Sequence, residues 1–284
     1  MPSSEVVMDI PAKPFRFGVV ATPHAGPDRW IATARRVEEL GYTTLLMPDG
    51  IQLPSPFPAL AIAAQATQEL RVGTFVLAAP LRTPYQAAYE AHSLSVLTAG
   101  RFDLGIGTGR PVVERQAATV GLPFGTAAER RAQVERTIAT LRELDGDAHR
   151  TPVLMAARGP KALRLAARLA DTVTLAADAR AGRSEVAAMA AAVRTAAGER
   201  AADIELAVNV FVVGDELPPQ MARYIGVDLA ELVAVDSMAL LRGGPGEIVD
   251  ELRRRRDTTG ISAVSVSEPF LEVLAPVVER LTGT

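Results

Sequence analysis

The residues in this chain able to do chemistry are few, so their spacing carries the argument. An apolar run, Thr44–Met47, ends in Pro48-Asp49-Gly50. Asp49 is either a turn carboxylate capping the next element or an acceptor for a bound ligand. Three histidines occur. His24 follows the run Phe15–Val20 and stands where it can reach a site at that end; His92 falls in a helical stretch and reads as structural; His149 lies in a polar loop and reads as solvated. Gly105-Ile106-Gly107-Thr108-Gly109-Arg110 permits close backbone approach to a ligand, although glycine also relieves crowding at strand ends. Ala156-Ala157-Arg158-Gly159-Pro160 opens a helix. Free N–H groups and the dipole make such an end a phosphate site, and Arg158 or Lys161 would add charge; a plain Gly-Pro helix start has the same sequence. There is no cysteine, which removes disulfides, thiolate metal sites and cysteine nucleophiles. No H-x-x-x-H, H-E-x-x-H or carboxylate cluster argues for a metal, and no G-x-S-x-G for a serine hydrolase.

The elements that must position these residues alternate along the chain. Strand-like runs are Phe15–Val20, Thr44–Met47, Arg71–Leu77, Phe102–Ile106, Val153–Ala156, Thr172–Leu175, Ile204–Val213 and Ala263–Val266. Helical patterns fall between them at Asp28–Leu40, Ala59–Glu69, Tyr85–Leu97, Glu129–Leu144, Lys161–Ala170, Ser184–Ala197, Gln220–Leu241 and Gly246–Asp257, with Leu271–Leu281 last. Short apolar strands separated by helices imply a parallel sheet covered on both faces. Eight such units favour a closed (β/α)8 TIM barrel over an open doubly wound sheet. A Rossmann-like sheet is the other reading, but the turn after the first strand is Ala21-Thr22-Pro23-His24 and not G-x-G-x-x-G. A barrel holds its site at the carboxyl ends of the strands, where the residues above fall. The segments Pro23–Pro27, Gly50–Phe57 and Arg110–Gly125 read as variable loops around that site.

Length and composition fit this architecture. The 284 residues suffice for one barrel, expected over residues 15–284 after an amino-terminal extension 1–14. With 48% hydrophobic and 22% charged residues the chain reads as an ordinary globular protein. A net charge of −3 offers no electrostatic case for nucleic acid or an acidic membrane. No apolar run approaches the ~18 residues of a membrane helix. The start, MPSSEVVMDIPAKPF, lacks a signal peptide's basic and apolar segments, so the expected location is cytoplasmic.

Taken together, the segments resemble one family. Arg71–Gly109, RVGTFVLAAPLRTPYQAAYEAHSLSVLTAGRFDLGIGTG, is similar to the luciferase-like flavin-dependent superfamily: a Gly-Thr strand, an Arg-x-Pro turn, a helix, then S/T-x-G-R-[FL]-x-L-G-x-G-x-G. Val153–Ala176, VLMAARGPKALRLAARLADTVTLA, resembles that superfamily's phosphate-binding segment. Within it the chain looks most like oxidoreductases using the deazaflavin coenzyme F420.

The resemblance implies a barrel mouth holding a flavin or deazaflavin. Thr74, Phe75 and Val76 would form a bulge with a non-prolyl cis peptide at Phe75–Val76, behind the ring. Gly107-Thr108-Gly109 would run beside the cofactor, Ala157-Arg158-Gly159-Pro160 would bind its phosphate, and Asp49 would lie near the ring system. True luciferases carry a phosphate-clamping Arg where this chain has Thr108, which favours F420 over the alternative, FMN. The implied reaction is hydride transfer between the deazaflavin C5 and a small organic substrate, with His24 and Asp49 as candidates for the proton. The alternatives are a two-component FMN monooxygenase using oxygen and a partner reductase, and a non-catalytic flavin- or F420-binding protein. A homodimer is the expected assembly. Sugar-phosphate dehydrogenases of the family have His where this chain has Gly50 and Glu where it has Arg110, so that reaction is not expected. Relatives also carry an insertion before the fifth strand, reduced here to Leu144–Pro152, whose loss is expected to open the substrate pocket.

Overall fold

Each strand turns alternate side chains to opposite faces, and here the two faces differ sharply in chemistry. The computed structural model describes residues 12–284, so residues 1–11 of the expected extension lie outside the described residues. The elements are β1 (Arg16–Val20), α1 (Pro27–Glu39), β2 (Thr44–Met47), α2 (Pro56–Gln65), β3 (Arg71–Thr74), β4 (Leu77–Ala78), α3 (Pro84–Leu97), β5 (Phe102–Gly107), α4 (Pro111–Thr119), α5 (Ala127–Asp145), β6 (Val153–Ala157), α6 (Pro160–Leu169), β7 (Thr172–Leu175), α7 (Arg183–Ala197), β8 (Glu205–Val210), β9 (Val212–Val213), α8 (Pro219–Ile225), α9 (Leu229–Ala234), β10 (Leu240–Leu241), α10 (Pro245–Thr259), β11 (Ile261–Ser267) and α11 (Leu271–Leu281). All pairings between these strands are parallel, and β1 joins β11 and β2 to close the ring. Both β3 and β4 pair with β5, so they are halves of one stave and the barrel is eight-stranded, as expected.

The outward face supplies the core. Phe17, Val19, Leu45, Met47, Leu104, Ile106, Met155 and Val173 are at most 1% exposed and pack under the helices. Each such side chain contributes about 1.5–3 kcal/mol on burial. Of the alternate positions, which face the lumen, Gly18, Thr44, Gly73, Gly105, Thr174, Ala207 and Ser265 are small or polar, while Leu46 and Leu154 add branched bulk. The lumen is thus less fully filled than the bulky branched layers usual in such barrels.

The strand between Arg71 and Ala78 breaks after Thr74, where a bulge enters the lumen. The neighbouring strand accommodates it only because Gly105 has no side chain: a Cβ there would lie 1.7 Å from the Thr74 carbonyl oxygen. Thr74 Oγ1 locks the crossing by donating to the Gly105 carbonyl at 2.6 Å.

Ion pairs line the amino-terminal pole. Arg16 Nε donates to Glu205 Oε1 at 2.9 Å, Thr172 Oγ1 to Glu205 Oε2 at 3.2 Å, and Arg71 Nε to Asp103 Oδ1 at 3.2 Å. The short connection Leu144–Pro152 also lies at this pole, since it feeds the start of β6. Its brevity therefore leaves the mouth untouched, against the expectation of an opened pocket. Asp145, 1% exposed at its side chain, anchors it: His92 Nδ1 lies 2.8 Å from Oδ1, and the Thr151 N–H and hydroxyl donate at 2.8 and 3.1 Å. His149 is not simply solvated, because its Nε2 pairs with Ser95 Oγ at 2.8 Å and pins the loop to α3.

Two other expectations need correction. Gln220–Leu241 is not one helix. Gly226 ends α8 with φ +70, Asp228 starts α9 through a capping box with Glu231, and Leu240–Leu241 pairs with Val212–Val213. Buried Arg255 fixes that pairing by donating to the Met238 and Leu240 carbonyls, both at 2.8 Å. Arg110–Gly125 is not a plain loop, since it contains α4. Among the described residues no helix is long and apolar enough to cross a membrane.

Gly105→Ala should cost about 3 kcal/mol or abolish folding, because backbone cannot yield as a flexible side chain does. Gly159→Ala, with nothing within 4 Å of the added carbon, should stay within about 0.5 kcal/mol in urea unfolding. Burial alone would raise the Asp145 carboxyl, but the hydrogen bonds from His92 and Thr151 outweigh it and hold its pKa below the usual value. That contribution is present above the unfolded aspartate pKa of about 3.9 and is lost as pH falls through the lower folded value. Asp145→Ala should cost about 2 kcal/mol at neutral pH, and the gap to the parent should narrow in unfolding curves taken below pH ~4.

Candidate functional site

The carboxyl ends of the staves bring the expected residues to one rim. Asp49 follows β2 and has a side chain 3% exposed. Its Oδ2 accepts from Arg82 Nη1 at 2.6 Å and the Ala78 N–H at 3.0 Å, and its Oδ1 accepts from Arg82 Nη2 at 3.1 Å. Arg82 in turn lies over the Phe57 ring, 5.9 Å from its centroid. Gln133 on α5 holds the same turn, donating to the Ala79 and Arg82 carbonyls at 2.6 and 2.7 Å. Both oxygens of Asp49 are thus committed to shaping the end of β4.

The Phe75–Val76 peptide is cis. The Phe75 N–H donates to the Met47 carbonyl at 2.7 Å, which ties the bulge to β2. Phe75 and Val76 are half-buried, in contrast to the fully buried Thr74 beside them. Gly107 sits against this bulge, where an added Cβ would lie 2.9 Å from Val76 Cγ2. Thr108 and Gly109 continue the rim, with Gly109 at φ +81. Arg110 then begins α4, and its guanidinium lies 5.9 Å from the Tyr224 ring of α8. Tyr224 meets Phe211 edge-on at 6.2 Å. α4 is also bridged to the loop after β2 by Gln116 Nε2 donating to Gln52 Oε1 at 2.8 Å.

Beyond β6, Ala157 is buried while Arg158, Gly159 and Pro160 are exposed. Gly159 is the N-cap of α6, with no side chain capping the helix and no acid in its first turn. That leaves amide hydrogens and the positive end of the dipole open to an anion. Arg158, 60% exposed at its side chain, keeps only a loose contact with Asp178 at 3.7 Å. His24 lies in the β1–α1 turn and is exposed. His92 and His149 are held at Asp145 and Ser95, on the outer shell and away from the mouth. Among the described residues no group of three or more metal-binding side chains comes together.

Sequence reasoning did not single out Arg82, Gln133, Phe211 or Tyr224. For Arg82 a signal existed in the Arg-x-Pro turn. The other three depend on contacts between distant segments.

Fold and rim together define a (β/α)8 barrel with a carboxyl-end site. The model of the luciferase-like monooxygenase family matches residues 13–230, and the chain belongs to that family. Among curated relatives, an F420-dependent glucose-6-phosphate dehydrogenase of Microbacterium testaceum is 28% identical over 189 residues, 56% of this chain and 55% of that protein. A shorter match, 31% identical over 88 residues, covers 31% of this chain and 24% of the oxygenase component of a flavin-dependent trigonelline monooxygenase of Acinetobacter baylyi. The chain spans about half the length of the curated F420-dependent relatives it matches. The coenzyme F420-dependent tetrahydromethanopterin reductase of Methanopyrus kandleri shares the fold, with a TM-score of 0.72 and 17% identity over 95% of this chain and 98% of that one.

Removing one partner of a buried pair leaves a charge without compensation. Asp49→Ala should therefore cost about 3–5 kcal/mol in denaturant unfolding. A cost within about 0.5 kcal/mol, the value for an ordinary surface site, would show that Asp49 does not organise this rim.

Proposed function

We propose that the protein is an F420-dependent oxidoreductase acting on a small organic substrate. The observation that carries this reading is the half-buried Phe75–Val76 bulge set against Gly107, with the uncapped, basic start of α6 on the same rim. Family membership and the F420-dependent relatives support it. The residues present suit such a cofactor: an apolar, partly open floor for a ring and an unclaimed helix end for a phosphate.

When bound, the deazaflavin supplies hydride chemistry at its C5. The chain would do the rest. Phe75 and Val76 form the floor, and Thr74 fixes the bulge through Gly105. Gly107, Thr108 and Gly109 run alongside. The backbone from Ala157 through Gly159, the Pro160 helix start and Arg158 hold the phosphate. Asp49, through Arg82, keeps the rim in shape; its hydrogen bonds favour this role over carrying the proton. That leaves His24, exposed and adjoining the rim, to hold or release a proton at a ring nitrogen. We also propose a homodimer, with the exposed Tyr85, Tyr89 and Leu97 of α3 at 62%, 53% and 82% as its contact face.

A second reading is an FMN-dependent monooxygenase served by a partner reductase. The match to the trigonelline oxygenase component favours it. Thr108, where the family's luciferases place a phosphate-clamping Arg, weighs against it. Oxygen-dependent product formation with reduced FMN would establish this reading in place of the first.

Titration of the protein with F420 and with FMN, followed by fluorescence quenching, tests the cofactor. F420 should bind in the micromolar range and FMN should not; the reverse order overturns the proposal. Arg158→Glu should weaken F420 binding about tenfold, equivalent to ~1.4 kcal/mol, with unchanged unfolding.

A further inference from the structure

The barrel axis holds space that the proposed chemistry does not use. A cavity of about 40 Å³ runs inside the staves from Arg16, Asp103 and Thr172 at the amino-terminal pole to Thr174 and Phe75 beneath the bulge. A second, wider cleft of about 440 Å³ opens at that pole, and it too is lined by Arg16, Asp103, Leu154 and Thr172. Four shared lining residues set the axial cavity directly beside this open cleft, at the end opposite the mouth. Arg16 and Arg71 are 37% and 29% exposed at their side chains, so the ion pairs screen this entrance without sealing it.

The lining is mixed. Thr172 and Thr174 of β7, Thr44 of β2 and Ser265 of β11 place hydroxyls along it, between apolar stretches of wall that include Leu46 and Leu154. Thr174 is 3% exposed, yet its Oγ1 has no hydrogen-bond partner among the described residues. A buried hydroxyl is rarely left unpaired. Water occupies cavities that are polar and offer roughly 10–15 Å³ per molecule. The axial cavity therefore has room for about three.

We propose that the barrel axis binds a short file of water, anchored on Thr174, that relays protons between solvent at the amino-terminal pole and the underside of the Phe75–Val76 bulge. Each transfer is a hop: one water gives a proton to the next and takes one from the neighbour behind it, so oxygen atoms stay in place and one proton crosses per passage. Asp103 lines both spaces at that entrance, paired with Arg71. The water file depends on this cavity alone; that it serves the mouth rests on the proposed function.

The test begins with the protein free of cofactor. A high-resolution crystal structure should show an ordered water within hydrogen-bond distance of Thr174 Oγ1. Thr174→Val, nearly the same shape, should lose that water while keeping its melting temperature within a few degrees. Oxygen-17 relaxation dispersion should count fewer long-lived internal waters in Thr174→Val and in Ala207→Leu, which fills the lumen from β8. A dry cavity, a Thr174 hydroxyl turned onto a backbone carbonyl, or equal water counts in parent and variants overturns the file. With F420 bound, the solvent isotope effect on its reduction by dithionite, measured in light and heavy water, should be larger in both variants than in the parent if protons travel this way. Emptied waters with an unchanged solvent isotope effect overturn the relay. Failure of F420 to bind at all overturns the proposed function and leaves the water count standing.

Discussion

The site depends on a close approach of two backbones. The Thr74 carbonyl occupies the space where a side chain of residue 105 would stand. That contact lets the strand between Arg71 and Ala78 bulge into the lumen without breaking the ring, because β3 and β4 each still pair with β5. Everything at the mouth is referred to it. The Phe75 N–H reaches Met47 on one side, Val76 meets Gly107 on the other, and Asp49 takes the Ala78 N–H just beyond. The glycines at 105 and 107 do not supply flexibility in this setting; they supply absence of volume.

Around that contact the rim is built from long-range pairs. Asp49 and Arg82 join the end of β2 to the turn before α3, and Gln133 ties that turn to α5. Arg110 and Tyr224 approach each other from segments that follow β5 and β9. In contrast, α6 offers an end that no side chain of its own claims. The mouth thus combines a rigid side near the bulge with an electrostatically open side at Arg158.

Much of this was legible in the sequence because it is local. Thr44–Met47 and Thr172–Leu175 are continuous apolar runs between helix signals, and both strands have those limits. The glycines at 105 and 107 read as room for a ligand or relief of crowding at a strand end; in the structure Thr74 and Val76 take that room. What stayed hidden was non-local or short. The Gln220–Leu241 pattern is helical in periodicity, but Gly226 and the pairing of Leu240–Leu241 with β9 divide it. His149 looks solvated from its neighbours, and its partner Ser95 is 54 residues away. Asp49 reads as a turn cap or an acceptor for a ligand, and Arg82, 33 residues on, is seen to hold it.

The opposed faces of the staves have a further consequence for how this molecule can change. Outward positions such as Leu45, Leu104 and Ile106 sit in a close-packed shell, so variation there is governed by volume and carries most of the stability. Inward positions such as Thr44, Thr174, Ala207 and Ser265 line the axial cavity, so variation there changes polarity and free volume more than the packing of the shell. A lineage could therefore redraw the interior of the barrel, making it wetter, drier or narrower, while the shell that folds it stays as it is. The two surfaces of one sheet would then answer to separate selective pressures, one for persistence and one for chemistry.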